Sequence, residues 1–315
     1  MSSIFKRHSQ ADGYYPPIPV YIPVQKTAEE IKADGDEMVA KMKARFPGNF
    51  KKAPAPIVQL PVWPDAARGV PNTIIRSALF GINNKRKIFK NRTLIASTSD
   101  FEVAFKGEGL NQTDLDLWLV LLHLARLQAL GNAIEVTGKD LLKALRRRYG
   151  STQYEQLNSD LMRLIGGVTE IKEIKTNRSF MGGLAQTVAR DDITRHYTIK
   201  IDPLIMNLFA DGYTLIDNGM RKALGRKNLA KWLQGFYFTH AKPYPIKVQT
   251  LHEMSGSADV LRNFRTELKP ALNTLIKVGS VSSFCITEDD LVVVETVPSS
   301  TQKRHITRKK LSTNR

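Results

Sequence analysis

The sequence is short of several features that would otherwise narrow its chemistry. It has one cysteine among 315 residues, Cys285, so no internal disulfide can form and no cysteine cluster can hold zinc. Cys285 lies in the strand-like run "SSFCITE" and is expected to be a small buried residue. No stretch approaches the ~18 consecutive apolar residues of a membrane span. The opening "MSSIFKRHSQADGYY" lacks the apolar core of a secretory signal, and these absences together predict a cytoplasmic chain with no membrane partner. Acids are scarce beside bases: 30 Asp and Glu against 47 Lys and Arg leave a net charge of +17. An excess of that size favours a polyanion, nucleic acid ahead of an anionic membrane. The plainer alternative is a soluble protein with a basic surface.

Catalytic constellations are also lacking. "GNAIEVTGKD" spaces Gly131 and Gly138 too widely for a phosphate-binding loop, and Asp140 stands where a magnesium-binding hydroxyl is needed. His252-Glu253 opens like a zinc-protease motif, but no histidine follows at i+4. The histidines His8, His123, His196, His240, His252 and His305 share no metal-ligand spacing. His123 sits on an apolar helix and reads as a core or boundary residue. Glu288, Asp289 and Asp290 cluster in "TEDD", which reads as a solvated hairpin turn rather than a metal site. The chain is therefore read as a non-enzyme, with no catalytic residue, metal or cofactor.

What is present has a clear order. Residues 1–60 read as a flexible, proline-rich arm, with "GYYPPIPVYIPVQ" extended and a helix over 27–45 despite Gly35. A hairpin follows in "TLIASTSDFEVAFKGEGL". Helices are predicted at 111–130 (capped by Thr113 or Asp114), 136–147 (from Thr137) and 150–167 (capped by Ser151). Strands "VTEIKEIKTN" and "RHYTIKID" come next, joined by a flexible Gly-containing connection. Helices at 225–241, 246–256 and 257–275, then the hairpin "GSVSSFCITEDDLVVVETV", repeat that order. This predicts an α+β fold of two tandem winged-helix domains, 61–216 and 217–296, with a disordered basic tail over 297–315.

The helix over 257–275 carries the most specific signal. Leu261, Phe264, Leu268, Leu272 and Leu275 form an apolar stripe, and Arg262, Arg265 and Lys269 run beside it. In a winged helix this is the element that enters the major groove. Arg262 and Arg265 suit guanine O6 and N7, Asn263 suits adenine, Thr266 a thymine methyl or a phosphate, and Lys269 a phosphate. A solvated face on an ordinary packing helix is the competing reading. Pro270 removes the bond to the Thr266 carbonyl, and the expectation is a kink separating the DNA-reading half from the packing half. In the first domain Arg146, Arg147 and Arg148 either grip the backbone or close a helix C-terminus, where cations favour the dipole. Lys85, Arg86 and Lys87 form a further basic run.

Several segments are similar to one family. "VWPDAARGVPNTIIRSALFGINNKRK" (62–87) contains Trp63-Pro64-Asp65, Pro71-Asn72 and Arg76-Ser77-Ala78-Leu79-Phe80 before its basic run. Together with "LFADGYTLID" (208–217) and "PYPIKVQTLHEMSGS" (243–257), it closely resembles TrfA-type plasmid replication initiators. The resemblance covers roughly 60–296. It implies tandem winged helices that bind iterons at a plasmid origin, melt a neighbouring A+T-rich region and recruit the host replicative helicase, with the host initiator as a further partner. It also implies a monomer–dimer balance that limits copy number. The family's sliding-clamp motif lies upstream of Trp-Pro-Asp, and Gln59 and Leu60 match it in part. On this reading the second domain reads bases, while the first grips phosphate and supplies dimer contacts. A winged-helix transcription repressor is the alternative; a nicking relaxase would need a catalytic tyrosine beside a histidine cluster, which the sequence does not offer.

Overall fold

The computed structural model describes residues 27–45, 57–210, 212–240 and 242–297. The proline-rich stretch at 13–25 and the basic tail from 298 onward lie outside the described residues. The chain divides into two compact units at Pro56/Ile57. In the first, helix α1 (Ala28–Arg45) begins with a capping box in which Thr27 and Glu30 exchange hydrogen bonds. Its described side chains are exposed, and Lys41 pairs with Glu37 one turn away at 2.7 Å.

The second unit starts with a strap. Strand β1 (Ala67–Pro71), the one-turn helix α2 (Asn72–Ile75) and β2 (Phe80–Gly81) lead into the hairpin β3 (Ile88–Ile95) and β4 (Phe101–Glu108). After β5 (Leu110–Asn111) comes α3 (Gln112–Ala125), then β6 (Ala133–Thr137), α4 (Gly138–Ala144) and α5 (Ser151–Gly166). Four strands follow: β7 (Val168–Glu173), β8 (Ser179–Gly182), β9 (Thr187–Arg190) and β10 (His196–Lys200). Thus the connection expected to be flexible is itself two short strands. They complete the four-stranded sheet β3-β4-β7-β8 and the three-stranded sheet β6-β10-β9.

A 3-10 turn (Pro203–Ile205), α6 (Met206–Ala210), β11 (Tyr213–Asp217) and α7 (Asn218–Ala223) join the halves. Then come α8 (Asn228–Phe238), β12 (Ile246–Lys247), α9 (Val248–Met254), α10 (Leu261–Lys277), β13 (Val281–Ile286) and β14 (Leu291–Thr296). The sheet β12-β14-β13 has the same order as β6-β10-β9: the strand before the second helix pairs with the last strand of the hairpin. Helix, strand, helix, helix, hairpin therefore occurs twice. Strand β1 pairs with β11 along Ala67–Pro71, which closes the first half on itself, and the residues from Ile57 onward form one compact unit.

Helix α3 is the centre of that body. Leu115, Leu117, Trp118, Leu119, Leu121, Leu122 and Ala125 are all buried, so it is apolar around most of its circumference. Its start is capped by Asn111, whose Oδ1 accepts from the Thr113 N–H, while the Asp114 carboxylate accepts from the Asn111 N–H. The expected caps Thr113 and Asp114 thus lie inside the first turn. Asp114 is fully buried and holds the guanidinium groups of Arg86 and Arg163. Asp116 holds Arg221 at 2.6 Å and Lys231 at 2.5 Å. Burial also lowers the pKa of Lys231, against the opposing pull of Asp116.

Near its end, α3 receives the strap. The Trp63 Nε1–H donates to His123 Nδ1 at 3.1 Å, and Arg126 binds the Trp63 carbonyl and the Asp65 carboxylate. The Trp63 ring stacks on Phe209 at 6.1 Å, so the Trp-Pro-Asp and Leu-Phe-Ala segments meet. Gly69 makes that approach feasible: a Cβ there would sit 2.6 Å from the indole. Leu60 is buried, and Gln59 donates to the Arg126 carbonyl at 3.1 Å. This corrects the expectation that Gln59 and Leu60 lie in a free arm as a clamp-binding peptide; they are already part of the folded strap. Cys285, expected to be buried, is exposed, because Phe284 and Ile286 take the inward phase of β13.

Two consequences can be measured. Burial, with Arg68 and Arg126 nearby, pushes the His123 pKa from 6.5 down to about 4, so the folded protein keeps this ring neutral. Between those values the unfolded chain binds more protons, so stability falls as pH is lowered through that window. Urea titrations over that range should show a shallower decline in His123→Gln than in the wild type. Separately, Asp114→Ala takes the fully buried carboxylate from Arg86 and Arg163, leaving them Glu108 and Asp160, and removes half of the capping box. A loss of about 3 kcal/mol in urea unfolding is expected, the low end for a broken buried pair because other carboxylates remain beside both guanidinium groups.

Candidate nucleic-acid interface

Helix α10 has one buried side made by Phe264, Leu268, Ala271, Leu272 and Leu275. This stripe runs on both sides of Pro270, and the helix is continuous from Leu261 to Lys277. The proline therefore does not divide a reading half from a packing half. It is exposed, and its missing N–H falls on the solvent side, where the backbone tolerates the loss. Thr274 Oγ1 donates to the Pro270 carbonyl at 2.9 Å.

The five residues singled out on this helix, Arg262, Asn263, Arg265, Thr266 and Lys269, are all exposed. Helical spacing sorts them. Arg262 and Thr266 share the outermost line, and the Thr266 hydroxyl donates to the Arg262 carbonyl at 3.1 Å. Arg265 and Lys269 occupy the flank facing the hairpin, where Arg265 forms an ion pair with Asp290 at the hairpin turn. Glu267, Pro270 and Thr274 form the opposite flank.

That opposite flank borders a groove of about 1010 Å³, also lined by Asn83, Lys85, Lys87, Arg226 and Lys227. Two contacts fix its walls. The Asn83 side chain donates to the Gly256 carbonyl at 2.5 Å and accepts from the Ala258 N–H at 3.0 Å. Asn228 Nδ2 donates to the Ile82 carbonyl and to Asn84 Oδ1, each at 3.0 Å. The basic run after β2 is thereby clamped against the α9–α10 turn and the start of α8. Lys227 reaches across to Thr274 Oγ1 at 3.2 Å.

The basic runs divide by phase. Lys85 and Lys87 are exposed, with Lys87 lying 5.2 Å from the Phe89 ring centre. Arg86 turns inward to Asp114, which corrects its assignment as a DNA contact. After α4, Arg146 takes a left-handed conformation (φ 54°), and the Arg147 N–H returns to the Leu142 carbonyl, closing the helix. Arg147 then points inward, 2.6 Å from the buried carboxylate of Asp160, so it too serves the fold. Arg146 and Arg148 remain exposed. Helix α5 begins after Gly150 without the expected Ser151 cap.

Arg226 and Lys227 were missed because they were absorbed into a predicted helix at 225–241. The helix starts at Asn228 with Lys227 as its N-cap. Cations are electrostatically disfavoured at a helix N-terminus, and that mismatch was the available signal. Among the described residues no group of three or more His, Cys, Asp or Glu is arranged to hold a metal, and no helix is long and apolar enough to cross a membrane.

Comparison with known proteins adds the family. The chain is 28% identical over 240 residues to the plasmid replication initiator protein TrfA of Escherichia coli, a match covering 73% of this chain and 62% of that relative. Crystal structures of domains 2 and 3 of RctB superpose with a TM-score of 0.47. One, of selenomethionine derivatives, is 11% identical and covers 71% of this chain and 97% of its own. The other is 10% identical and covers 74% and 99%. The family described as TrfA protein matches residues 25–296, and the chain belongs to that family.

Proposed function

We propose that the chain is a plasmid replication initiator that works by binding repeated duplex sites at an origin, with two winged-helix units in tandem. The repeated element order and the matching sheet orders support the tandem reading. The observation that carries DNA binding is the outer face of α10, where Arg262 and Thr266 lie between a hairpin and a basic groove. A helix so placed presents its exposed side chains to base edges in the major groove. Lys85, Lys87, Arg226 and Lys227 would take phosphates along the groove and fix register without reading sequence. Arg146 and Arg148 would add backbone grip from the first unit, and Asn263 and Lys269 further contacts on α10. Origin melting, recruitment of a replicative helicase and copy control through dimerisation complete the proposal, with family membership as their support. Catalysis by the chain itself has no part in it.

The test is fluorescence anisotropy on two duplexes at matched salt, one selected from a randomised pool by the protein and one scrambled. Arg262→Ala should lower the ratio of selected to scrambled affinity by roughly 5–150-fold, the equivalent of ~1–3 kcal/mol for a bidentate base contact. An unchanged ratio would remove Arg262 from base reading. The pair Arg226→Ala/Lys227→Ala should instead weaken both duplexes alike. It should also flatten the log–log salt slope by about 1.8, at ~0.9 per phosphate. A loss confined to the selected duplex would contradict the phosphate assignment.

A further inference from the structure

Winged-helix hairpins that touch DNA are expected to meet its phosphates, yet the β13–β14 turn is acidic. Glu288 and Asp289 are exposed, and Asp290 points its carboxylate at Arg265. We infer that Asp290 is a specificity-determining positioning residue: it holds the Arg265 guanidinium in the plane that suits a guanine edge and away from the phosphate backbone. This rests on the reading of α10 as the helix that meets base edges.

The geometry supports a fixed carboxylate rather than a wandering one. Asp290 has φ of 60°, a left-handed conformation that Asp and Asn tolerate better than most residues. Its N–H donates to the Thr287 carbonyl at 3.0 Å, and its carbonyl accepts from the Val248 N–H at 2.9 Å. The turn is thereby tied to the first residue of α9, so hairpin and helix pair move as one. Arg265 is anchored by its own helix, whose neighbouring Phe264 and Leu268 are buried.

The consequence follows from the chemistry of arginine. A guanidinium has five N–H donors in one plane, and a carboxylate engages only some of them. The remainder point outward in a direction set by the pair, which matches the planar O6/N7 edge of guanine. A phosphate accepts from many directions, so a free Arg265 would satisfy any sequence equally well. Breaking an exposed ion pair shifts an equilibrium by no more than about fivefold. The pair therefore does not block binding; it biases which partner Arg265 meets. The neighbouring carboxylates of Glu288 and Asp289 repel phosphates near the turn on every sequence alike.

The experiment uses the full chain, with anisotropy on the selected and scrambled duplexes. Asn keeps the left-handed backbone and the turn's main-chain bonds, so Asp290→Asn should fold normally, and circular dichroism checks this. Asp290→Asn should tighten scrambled binding by about fivefold, on the scale of one surface charge. It should leave selected binding equal or weaker, so that the ratio falls about tenfold, within the range of one base contact. The control pair Glu288→Gln/Asp289→Asn removes charge without touching Arg265, and it should raise both affinities together and keep the ratio. The double variant Arg265→Ala/Asp290→Asn should match Arg265→Ala in ratio, because the carboxylate acts through that arginine. If Arg265→Ala lowers the ratio but Asp290→Asn leaves it within about twofold of wild type, inside the tolerance for independent sites, the inference fails and base reading stands. If Arg265→Ala also leaves it unchanged, base reading by Arg265 is what fails.

Discussion

Two carboxylates set two residues apart on a buried helix organise this molecule. Asp114 and Asp116 lie about 200° apart around α3, so they face opposite sides. A buried carboxylate is tolerated only when cations and donors surround it. Asp114 draws Arg86 from the strap and Arg163 from α5, both belonging to the first half. Asp116 draws Arg221 from α7 and Lys231 from α8, which belong to the second. One helix thus gathers cations from both halves, and Glu108 and Asp160 add to the pairing on the Asp114 side.

The family motifs gain a physical meaning from this arrangement. Trp63 stacks on Phe209, Asn72 accepts a hydrogen bond from the Thr214 hydroxyl at 2.7 Å, and Arg76 donates to the Thr239 carbonyl at 2.6 Å. Asn83 clamps the α9–α10 turn. These segments, far apart in sequence, meet as a strap that binds the second half to the first. The strap ends at Lys85 and Lys87, where it forms a wall of the groove beside α10. Packing and function therefore share the segment: its first part fixes where α10 stands, and its last part supplies charge next to it.

Much of the helical content was legible from periodicity. The stripe on α10 and the hairpin around residues 287–290 were readable because the pattern is local and amphipathic. Thr137 is legible as the start of α4, where its side chain accepts from the Asp140 N–H. Strands β8 and β9 were not legible: each has four residues, too few for a readable alternation, although each pairs with a strand next to it in the chain. Arg86 and Arg147 illustrate the limit at the candidate site. Within a run of adjacent cations, composition gives the charge but not the phase, and the inward member is chosen by a buried carboxylate elsewhere. Sequence parity did contain the answer for Cys285, since Phe284 and Ile286 occupy the alternate, inward phase of the same strand.

The proposal stands on α10 meeting base edges in the major groove while the adjoining groove meets phosphate. Methylation interference on the selected duplex addresses both parts directly, because a methyl on guanine N7 projects into the major groove and blocks a bidentate arginine. Strong interference is expected at one or two guanines per repeat, disappearing in Arg262→Ala, with ethylated phosphates interfering on the strand beside them. Interference at phosphates alone, with every methylated guanine tolerated, would contradict it.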